Sequence, residues 1–373
     1  MNPRVFTVVR LKNEESIEMK SQTLVKVLRV FVLLFGAALV LFAARTTPSQ
    51  ARGQTAHDNN EAAPTEYKIS GPYTHNNLAV FLIHGKDRLA GKTFLTLQEA
   101  LRQRKVVVYE TKNVNELAIE NLSRYEEVYV QSGDIVKGGQ QDRMLGVDLI
   151  VPPRSGKISI AAFCVEQGRW QKRANEEVTR FSSSNERVAT KELKLAANKA
   201  KSQGEVWKRV AEAQDKLSSN VGRSVNAPIS NSSFQLTLEN RQVQATADAY
   251  VKALAHVAGK HTDVVGYAFA INGKLNSADV YAAGSLFRKL WPSLLKASAV
   301  EAIAELQKGQ KFDGVSQADV RAFLADAEAG AATGQNVTER VQMITRESKV
   351  NLLFETRDRF AKGAWLHRSY IKK

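Results

Sequence analysis

Short apolar runs separated by turn-forming residues predict a series of β-strands in the first half of the chain. The runs contain three to eight residues, which is typical of strands and short for helices. A short helix is predicted at residues 93–102, because Leu97, Ala100 and Leu101 would share one face. The predicted strands lie at residues 78–83, 106–109, 116–119, 128–130, 147–151 and 158–165.

The composition changes after Trp170, and residues 174–223 are rich in Ala, Lys, Glu and Gln. These residue types lose little side-chain entropy in a helix, and β-branched residues are few in this segment. Helices are therefore predicted at residues 188–201 and 205–217, with a break at Gly204. A further helix is predicted at residues 246–257.

Residues 264–281 predict a β-hairpin, because the run VVGYAFAI precedes the dipeptide Asn272-Gly273, residues 274–281 follow it, and Asn-Gly favours a type I′ turn. Helices are predicted at residues 285–306 and 315–329, and a loop around Gly330, Gly334 and Asn336. Strands at residues 337–345, 349–356 and 364–371 complete the predicted pattern. Regular βαβ alternation is lacking, so the predicted fold class is α+β, a largely antiparallel sheet with several packed helices.

The N-terminal segment has the pattern of a secretory signal peptide. Residues 30–44 form an unbroken apolar run after Lys20, Lys26 and Arg29, and Ser49-Gln50-Ala51 supplies small residues for cleavage. We therefore assign residues 1–51 to a signal peptide of a bacterial chain, with Met19 as an alternative start, and expect a periplasmic or secreted protein. An uncleaved anchor in the inner membrane, formed by residues 30–44, is the alternative.

Residues 52–66 are polar and lack apolar periodicity, so they are predicted to form a flexible tether. Residues 67–373 are predicted to form a single α+β domain, and its length is sufficient to bury a substantial core.

The formal charge of +15 suggests acidic partners, although part of it belongs to the export segment. Residues 1–51 contain seven Lys/Arg and three Asp/Glu, leaving 46 against 35, a net charge of +11. The basic residues are spread along the chain without a dense patch, so nucleic acid is not an expected partner. Contact with a membrane is expected only through an uncleaved N-terminal segment.

Cysteine and histidine usage gives no sign of a metal or cofactor. The single cysteine, Cys164, excludes an intramolecular disulfide and a Cys-rich zinc site. It lies in the apolar run AAFCV, where a thiol behaves as a small buried hydrophobe. The histidines are scattered, so no metal and no cofactor are expected.

The segment 133–143, GDIVKGGQQDR, and the segment 166–170, EQGRW, are dense in groups able to bind a ligand. Paired glycines let a backbone approach a ligand, and arginine forks suit carboxylate or phosphate. A base is available from Asp142, Asp148 or Glu166. The alternative is a wide hairpin turn with structural Asp142–Arg143 and Glu166–Arg169 ion pairs. The candidate ligand-binding residues are Asp134, Lys137, Gln141, Asp142, Arg143, Glu166 and Arg169.

Several stretches in order resemble the bacterial ARG and rhodanese-phosphatase-superfamily-associated protein domain. They are SGPYTHNNLAVFLI, GDIVKGGQQDR, DLIVPPRSGK, FCVEQGRW and LFRKLWPSLLKASAVEA. The resemblance implies one domain over about residues 67–310 and supports the GDIVKGGQQDR segment as a site. The family name records an association with other enzyme families and not a reaction, so no catalytic residue is implied.

Two function hypotheses remain from the sequence. The first is an exported, non-enzymatic binding module for a small anionic ligand or a partner protein. The second is a hydrolase acting on a phosphate- or nucleotide-like substrate, with Asp142 or Glu166 as base and Arg143 and Arg169 as anion clamps. We favour the binding module, because no set of nucleophile, base and orienting group is visible.

We expect the mature chain to begin near Arg52, because cleavage by signal peptidase follows small residues. N-terminal sequencing of protein recovered from the envelope or the medium would measure this directly. Recovery of a membrane-bound chain that retains residues 30–44 would contradict cleavage and favour the anchor.

Overall fold

Antiparallel strands dominate the computed structural model, which describes residues 67–187, 190–362 and 364–373. The strands are β1 (Lys68–His75), β2 (Leu78–His84), β3 (Leu95–Thr96), β4 (Val106–Glu110), β5 (Glu116–Asn121), β6 (Val128–Val130), β7 (Asp134–Gly138), β8 (Arg143–Leu145), β9 (Leu149–Val151), β10 (Lys157–Cys164), β11 (Phe181–Arg187), β12 (Val264–Ile271), β13 (Lys274–Tyr281), β14 (Ala331–Asn336), β15 (Val341–Glu347), β16 (Asn351–Asp358) and β17 (Ala364–Lys372).

The helices lie mainly between β11 and β12 and after β13. They are α1 (Leu97–Arg102), α2 (Lys191–Leu195), α3 (Gln203–Val221), α4 (Phe234–Leu238), α5 (Arg241–Leu254), α6 (His256–Gly259), α7 (Gly284–Ala304) and α8 (Gln317–Glu328). A π-helical turn (Ala196–Ala200) follows α2, and a 3-10 turn (Arg359–Ala361) precedes β17.

Three sheets organise the described residues. The largest has the strand order β1-β2-β12-β13-β17-β16-β15-β14, and a six-stranded sheet has the order β11-β7-β8-β10-β5-β4. A small sheet joins β3, β6 and β9, and in it β3 pairs parallel with β6. The predicted α+β class with a largely antiparallel sheet is confirmed.

Both faces of the largest sheet are covered at its central strands. On one face, Phe81 and Ile83 pack with Phe323 of α8. On the other, Val80 and Leu82 belong to the main core, together with residues of α5 and α7. This double coverage explains why β2 is a continuous apolar run and does not alternate with polar residues.

The predicted hairpin at residues 264–281 is confirmed with its boundaries, because β12 and β13 flank Asn272 and Gly273. Both turn residues have positive φ, 52° and 71°, as a type I′ turn requires. A Cβ on Gly273 would also lie 2.4 Å from the Asp313 carbonyl oxygen, so the turn packs closely against the chain beyond α7.

One sequence prediction of local structure was wrong, since the predicted loop near Gly334 is β14. The sequence analysis also did not predict β7 and β8, which begin within the segment 133–143, or β11, which precedes the first predicted helix of the segment 174–223. All six residues of β14 are exposed, and β11 has the polar sequence FSSSNER. Neither segment has the apolar alternation that predicts a strand, because β14 and β11 are edge strands.

The predicted helix at residues 188–201 is shorter than expected: it consists of α2 and the π-helical turn, and residues 188 and 189 lie outside the described residues. Residues 1–66 also lie outside them, so the signal peptide, the anchor and the tether stay predictions. No helix in the described part of the chain combines the length and apolarity needed to span a membrane.

Candidate functional site

The predicted binding segment forms the hairpin of β7 and β8. Gly138 and Gly139 adopt positive φ values of 115° and 58° where β7 ends. A Cβ on Gly139 would lie 2.4 Å from the Phe181 ring. The paired glycines therefore allow the turn to form and to pack against β11, which explains them without a ligand.

Behind this hairpin lies a group of charged side chains that we call the hairpin network: Glu110, Gln141, Asp142, Arg143, Glu166, Arg169 and Arg173. Its centre is Asp142, which accepts hydrogen bonds of 2.8 and 2.9 Å from the guanidinium of Arg173. The Ser233 hydroxyl and the Gly138 amide also donate to Asp142, at 2.8 and 3.0 Å. The carboxylate of Asp142 is thus fully hydrogen-bonded.

The proposed Asp142–Arg143 ion pair was wrong, because Arg143 points to other partners. Its guanidinium lies 3.4 Å from Glu110 and 3.3 Å from the backbone and side-chain oxygens of Gln141. The proposed Glu166–Arg169 pair is present, with Arg169 Nε 2.7 Å from Glu166 Oε1. Burial raises the pKa of Glu166, but Arg169 and its other hydrogen-bond donors lower it below the usual value.

The remaining two predicted residues lie elsewhere. Asp134 pairs with Arg187 at 2.6 Å, and Lys137 pairs with Glu239 at 2.7 Å near the surface. The seven predicted residues therefore fall in three places. The hairpin network brings together five of them, and Arg173, which the sequence analysis did not select, is its central cation.

The innermost residues of the hairpin network leave little access for a ligand, although Arg169 and Arg173 line an open groove of about 470 Å³. Gln141, Asp142, Arg143 and Glu166 have 0% exposure. Each carboxylate in this set is already matched by an arginine, which is how buried charges are stabilised. The geometry favours a stabilising role for these residues, and their role in ligand binding stays a prediction.

A second group of charged side chains surrounds a cavity that we call the His367 cavity. His367 is buried between two aspartates: its Nδ1 lies 2.7 Å from Asp148 Oδ2, and its Nε2 lies 3.1 Å from Asp279 Oδ1. The Tyr281 ring stacks on the imidazole with centroids 4.5 Å apart. The cavity is lined by Gln131, Ser132, Gly146, Val147, Asp148, Arg187, Lys194, Asn198, Asp279, Met343, Phe354, Thr356, His367 and Ser369.

Strand register in the largest sheet places much of this lining. Asp279 is paired with Ser369 and Tyr281 with His367, so all four side chains project from one face. On the next strand, Thr356 lies opposite His367. The other wall comes from the small sheet and its loops, from β11 and from the segment of α2 and the π-helical turn.

Asp148 is tied to this wall by several donors. The Ser132 amide donates to Asp148 Oδ1 at 2.8 Å, while Tyr129 and Thr356 donate to Oδ2 at 3.1 and 2.8 Å. Burial raises the pKa of Asp148, but His367 and these donors lower it below the usual value. Asp148 is therefore a carboxylate that joins the loop before β9 to the largest sheet.

The imidazole of His367 is held in its charged form. Burial alone would lower its pKa, but the Asp148 and Asp279 carboxylates raise the pKa to about 9. Burial also raises the pKa of Asp279, while the positive charges of Lys194 and His367 lower it well below the usual range. With a proton on each nitrogen, the imidazolium donates to both aspartates and has no lone pair to act as a base.

Three polar groups of the residues that line the cavity have unused hydrogen-bonding capacity. The Lys194 ammonium is half-buried and makes no hydrogen bond or ion pair with any described residue. The Asn198 side chain uses its oxygen to accept from Ser132, which leaves its amide nitrogen as a donor. Asp279 Oδ2 makes no hydrogen bond of standard geometry within the described chain, although the nearby Ser369 hydroxyl contributes to the low pKa of Asp279.

A wider groove of about 360 Å³ lies on the other side of Arg187, which lines both spaces. Its walls come from α1, β11 and α7. Its lysines are paired, with Lys296 2.7 Å from Glu186 and Lys289 3.3 Å from Glu99.

Cys164 does not show the properties of a nucleophile. The residue is buried, as predicted, and burial raises the pKa of its thiol to about 11. Nucleophilic cysteines instead have a lowered pKa, because the thiolate is the reactive form.

Sequence reasoning missed the His367 cavity, although a signal was present. Asp279 interrupts the buried strand β13, and a charged residue on an inward position of a strand usually has a specific partner. The partners, Asp148 and His367, are distant in sequence, and only the strand register identifies them.

One further cluster, His84, His261 and Asp263, brings possible metal ligands within 4.8 Å of one another.

The fold and the cavity define an α+β protein whose antiparallel sheets meet at a buried histidine held by two aspartates. Residues 66–371 match the ARG and Rhodanese-Phosphatase-superfamily-associated Protein domain, and the chain belongs to this family. The match extends beyond the predicted end near residue 310, so β17 and His367 are part of the family domain. No curated protein and no solved structure matches the chain significantly.

The substitution Asp142→Asn should destabilise the fold by about 3 kcal/mol, because it removes the main counter-charge of the buried Arg173. Urea unfolding would measure the loss. Asp215→Asn, at an exposed position of α3, is the matched control and should change stability little. Equal stability of the two variants would contradict a stabilising role for the hairpin network.

The free energy of unfolding should decrease as the pH rises from about 6.5 to about 9, because His367 loses its stabilising proton over this range. Its pKa is higher in the folded than in the unfolded chain, so in this window only the native state retains the proton. The stabilisation is complete at a pH below the pKa of His367 in the unfolded chain. It is lost as the pH rises through the pKa of His367 in the folded chain.

Urea unfolding at several pH values would measure this slope in the wild type and in His367→Gln. The control is His256→Gln, which changes an exposed histidine of α6. The slope should be reduced in His367→Gln and kept in the control; equal slopes in all three proteins would contradict the assignment.

Proposed function

We propose that this protein is a non-enzymatic binding module for a small anionic ligand, and that the anionic group of the ligand enters the His367 cavity beside Lys194. The observation that carries the proposal is the half-buried Lys194 ammonium, which lines the cavity without an ion pair at contact distance in the described chain, although its charge acts on Asp279. A partly desolvated cation gains more from an anion than an exposed one does.

The neighbours of Lys194 complete an anion-binding set. Asn198 contributes an amide donor. Arg187, which donates to Asp134 and to the Ser132 carbonyl, also lines the cavity and has further N–H groups. Hydrogen bonds to charged groups are the strong ones, so this set fits a carboxylate or phosphate group.

Asp279 adds a second requirement. Its Oδ2 needs a hydrogen-bond donor, and an anion that has lost every proton would be repelled by it. We therefore propose that the ligand combines a negative charge with a hydroxyl, an amine or an acidic proton. Inorganic phosphate has such a proton near neutral pH, and sulfate does not.

The cavity offers about 30 Å³ to the centres of water-sized molecules. One water occupies roughly 10–15 Å³, and the occupied space is larger than the space for centres, so the cavity has room for at least two waters. This size suits one anionic group, and the rest of a larger ligand would have to lie outside the cavity.

The hydrolase hypothesis retains one favourable observation, the Asp279 Oδ2 atom, which makes no hydrogen bond of standard geometry within the described chain. It could orient a water molecule towards a phosphate group beside Lys194. Binding is favoured over hydrolysis because His367, with both nitrogens engaged, does not supply a base. The proposal that the protein works outside the cytoplasm rests on the sequence of residues 1–51. A partner protein is the alternative to a small anionic ligand.

Lys194→Gln should weaken binding of inorganic phosphate at least tenfold, because a charge-assisted hydrogen bond contributes about 1.5–3 kcal/mol. Isothermal titration calorimetry with phosphate would measure the affinity, and sulfate should bind more weakly to the wild type. Lys208→Gln, at an exposed lysine of α3, removes the same charge away from the cavity and should bind phosphate as the wild type does.

Equal phosphate affinity in both lysine variants would contradict the proposal. The proposal would also be contradicted if the wild type bound neither phosphate nor any small hydroxy- or amino-carboxylate. Turnover of para-nitrophenyl phosphate by the wild type, lost in a folded Asp279→Asn variant, would favour the hydrolase instead.

A further inference from the structure

Three side chains with metal-ligating atoms converge at one end of the largest sheet. His84 is the last residue of β2, and His261 and Asp263 immediately precede β12. Because β12 pairs with β2, with Val264 opposite His84, the pairing brings these residues together. We propose that His84, His261 and Asp263 bind a divalent transition-metal ion, and that zinc fits this donor set best.

The distances are close to those of a metal site. One ligand atom from each residue lies within 4.8 Å of the others, and His84 Nδ1 is 2.9 Å from Asp263 Oδ1. In a tetrahedral zinc site with bonds of about 2.0–2.1 Å, ligand atoms are separated by about 3.3 Å. His261 lies in the short segment between α6 and β12, so a small adjustment of its ring would complete the set.

Ser70 is placed to orient the imidazole of His84. Its Oγ lies 2.7 Å from His84 Nε2. If Nε2–H donates to this hydroxyl, Nδ1 carries the lone pair that faces Asp263 and an incoming cation. Such a hydrogen bond on the second nitrogen is the usual support of a metal-ligating histidine. The Gly85 amide donates to the Asp263 carbonyl at 3.0 Å, which holds the backbone of Asp263 beside His84.

The site has a buried side and an open side. The side chain of His84 is 7% exposed, whereas that of Asp263 is 61% exposed. An ion could therefore enter from solvent and keep a water molecule as its fourth ligand, as in zinc sites with three protein ligands. Two imidazoles and one carboxylate favour zinc and neighbouring transition metals over calcium and magnesium, which prefer oxygen ligands.

The sequence analysis expected no metal, because it compared histidines by their spacing along the chain. His84 and His261 lie far apart in sequence, and only the pairing of β2 with β12 brings them together. The rings are in edge-on contact, with centroids 5.1 Å apart. The inference is independent of the proposed anion binding, since none of these residues lines the His367 cavity.

Isothermal titration of the tag-free, metal-stripped protein with zinc tests the site. The wild type should bind one equivalent of zinc, and His261→Gln and Asp263→Asn should each bind at least tenfold more weakly. His256→Gln removes an exposed histidine of α6 and should bind as the wild type does. Cobalt provides a second readout, because its tetrahedral complex has visible absorption that both ligand variants should lose.

Two outcomes would overturn the proposal: a wild type that takes up no zinc at micromolar concentration, and ligand variants that bind zinc and cobalt as the wild type does. Circular dichroism of each variant checks its folding. Asp263 is exposed and Asp263→Asn is isosteric; if that variant were unfolded, His261→Gln would decide the question alone.

Discussion

The structure depends on a buried imidazolium, because His367 joins two carboxylates from different parts of the fold. Asp279 belongs to the neighbouring strand of the same sheet, and Asp148 belongs to the loop before β9. Burying three charges is costly, and their mutual attraction offsets this cost only when the geometry is good. The interaction therefore fixes the position of the small sheet against the large one. It also creates the polar wall of the cavity.

The two buried ionic clusters differ in what surrounds them. In the hairpin network, Asp142 receives donors from Arg173, Ser233 and Gly138. The arginines that line the neighbouring groove, Arg169 and Arg173, are already paired with carboxylates. In the His367 cavity, space remains beside Lys194 and Asp279. Charge density along the sequence does not reveal the His367 cavity, because its charged residues come from distant parts of the chain. The difference between a stabilising cluster and a candidate binding site lies in whether a charged group without an ion pair borders the open space.

Sequence patterns predicted the elements that bury a regular apolar face, together with the fold class. The hairpin at residues 264–281 was predicted to the residue, since Asn-Gly fixes the turn and the first strand is apolar. β14 was missed because it is fully exposed, and edge pairing through the backbone requires no apolar pattern. The candidate site was harder to predict. Glycines and charges at residues 133–143 have the same appearance in a ligand loop and in a packed hairpin, and the partners of His367 are defined only by tertiary structure.

The charge state of His367 is the central claim, and nitrogen-15 NMR of histidine-labelled protein measures it most directly. At pH 7.5 both ring nitrogens of His367 should carry protons, with the signals assigned by their loss in His367→Gln. This pH lies above the ordinary histidine pKa of 6.5 and below the raised value of about 9. A neutral imidazole with one unprotonated nitrogen at this pH would contradict the account, because His367 could then act as a base and would not bridge the two aspartates as a cation.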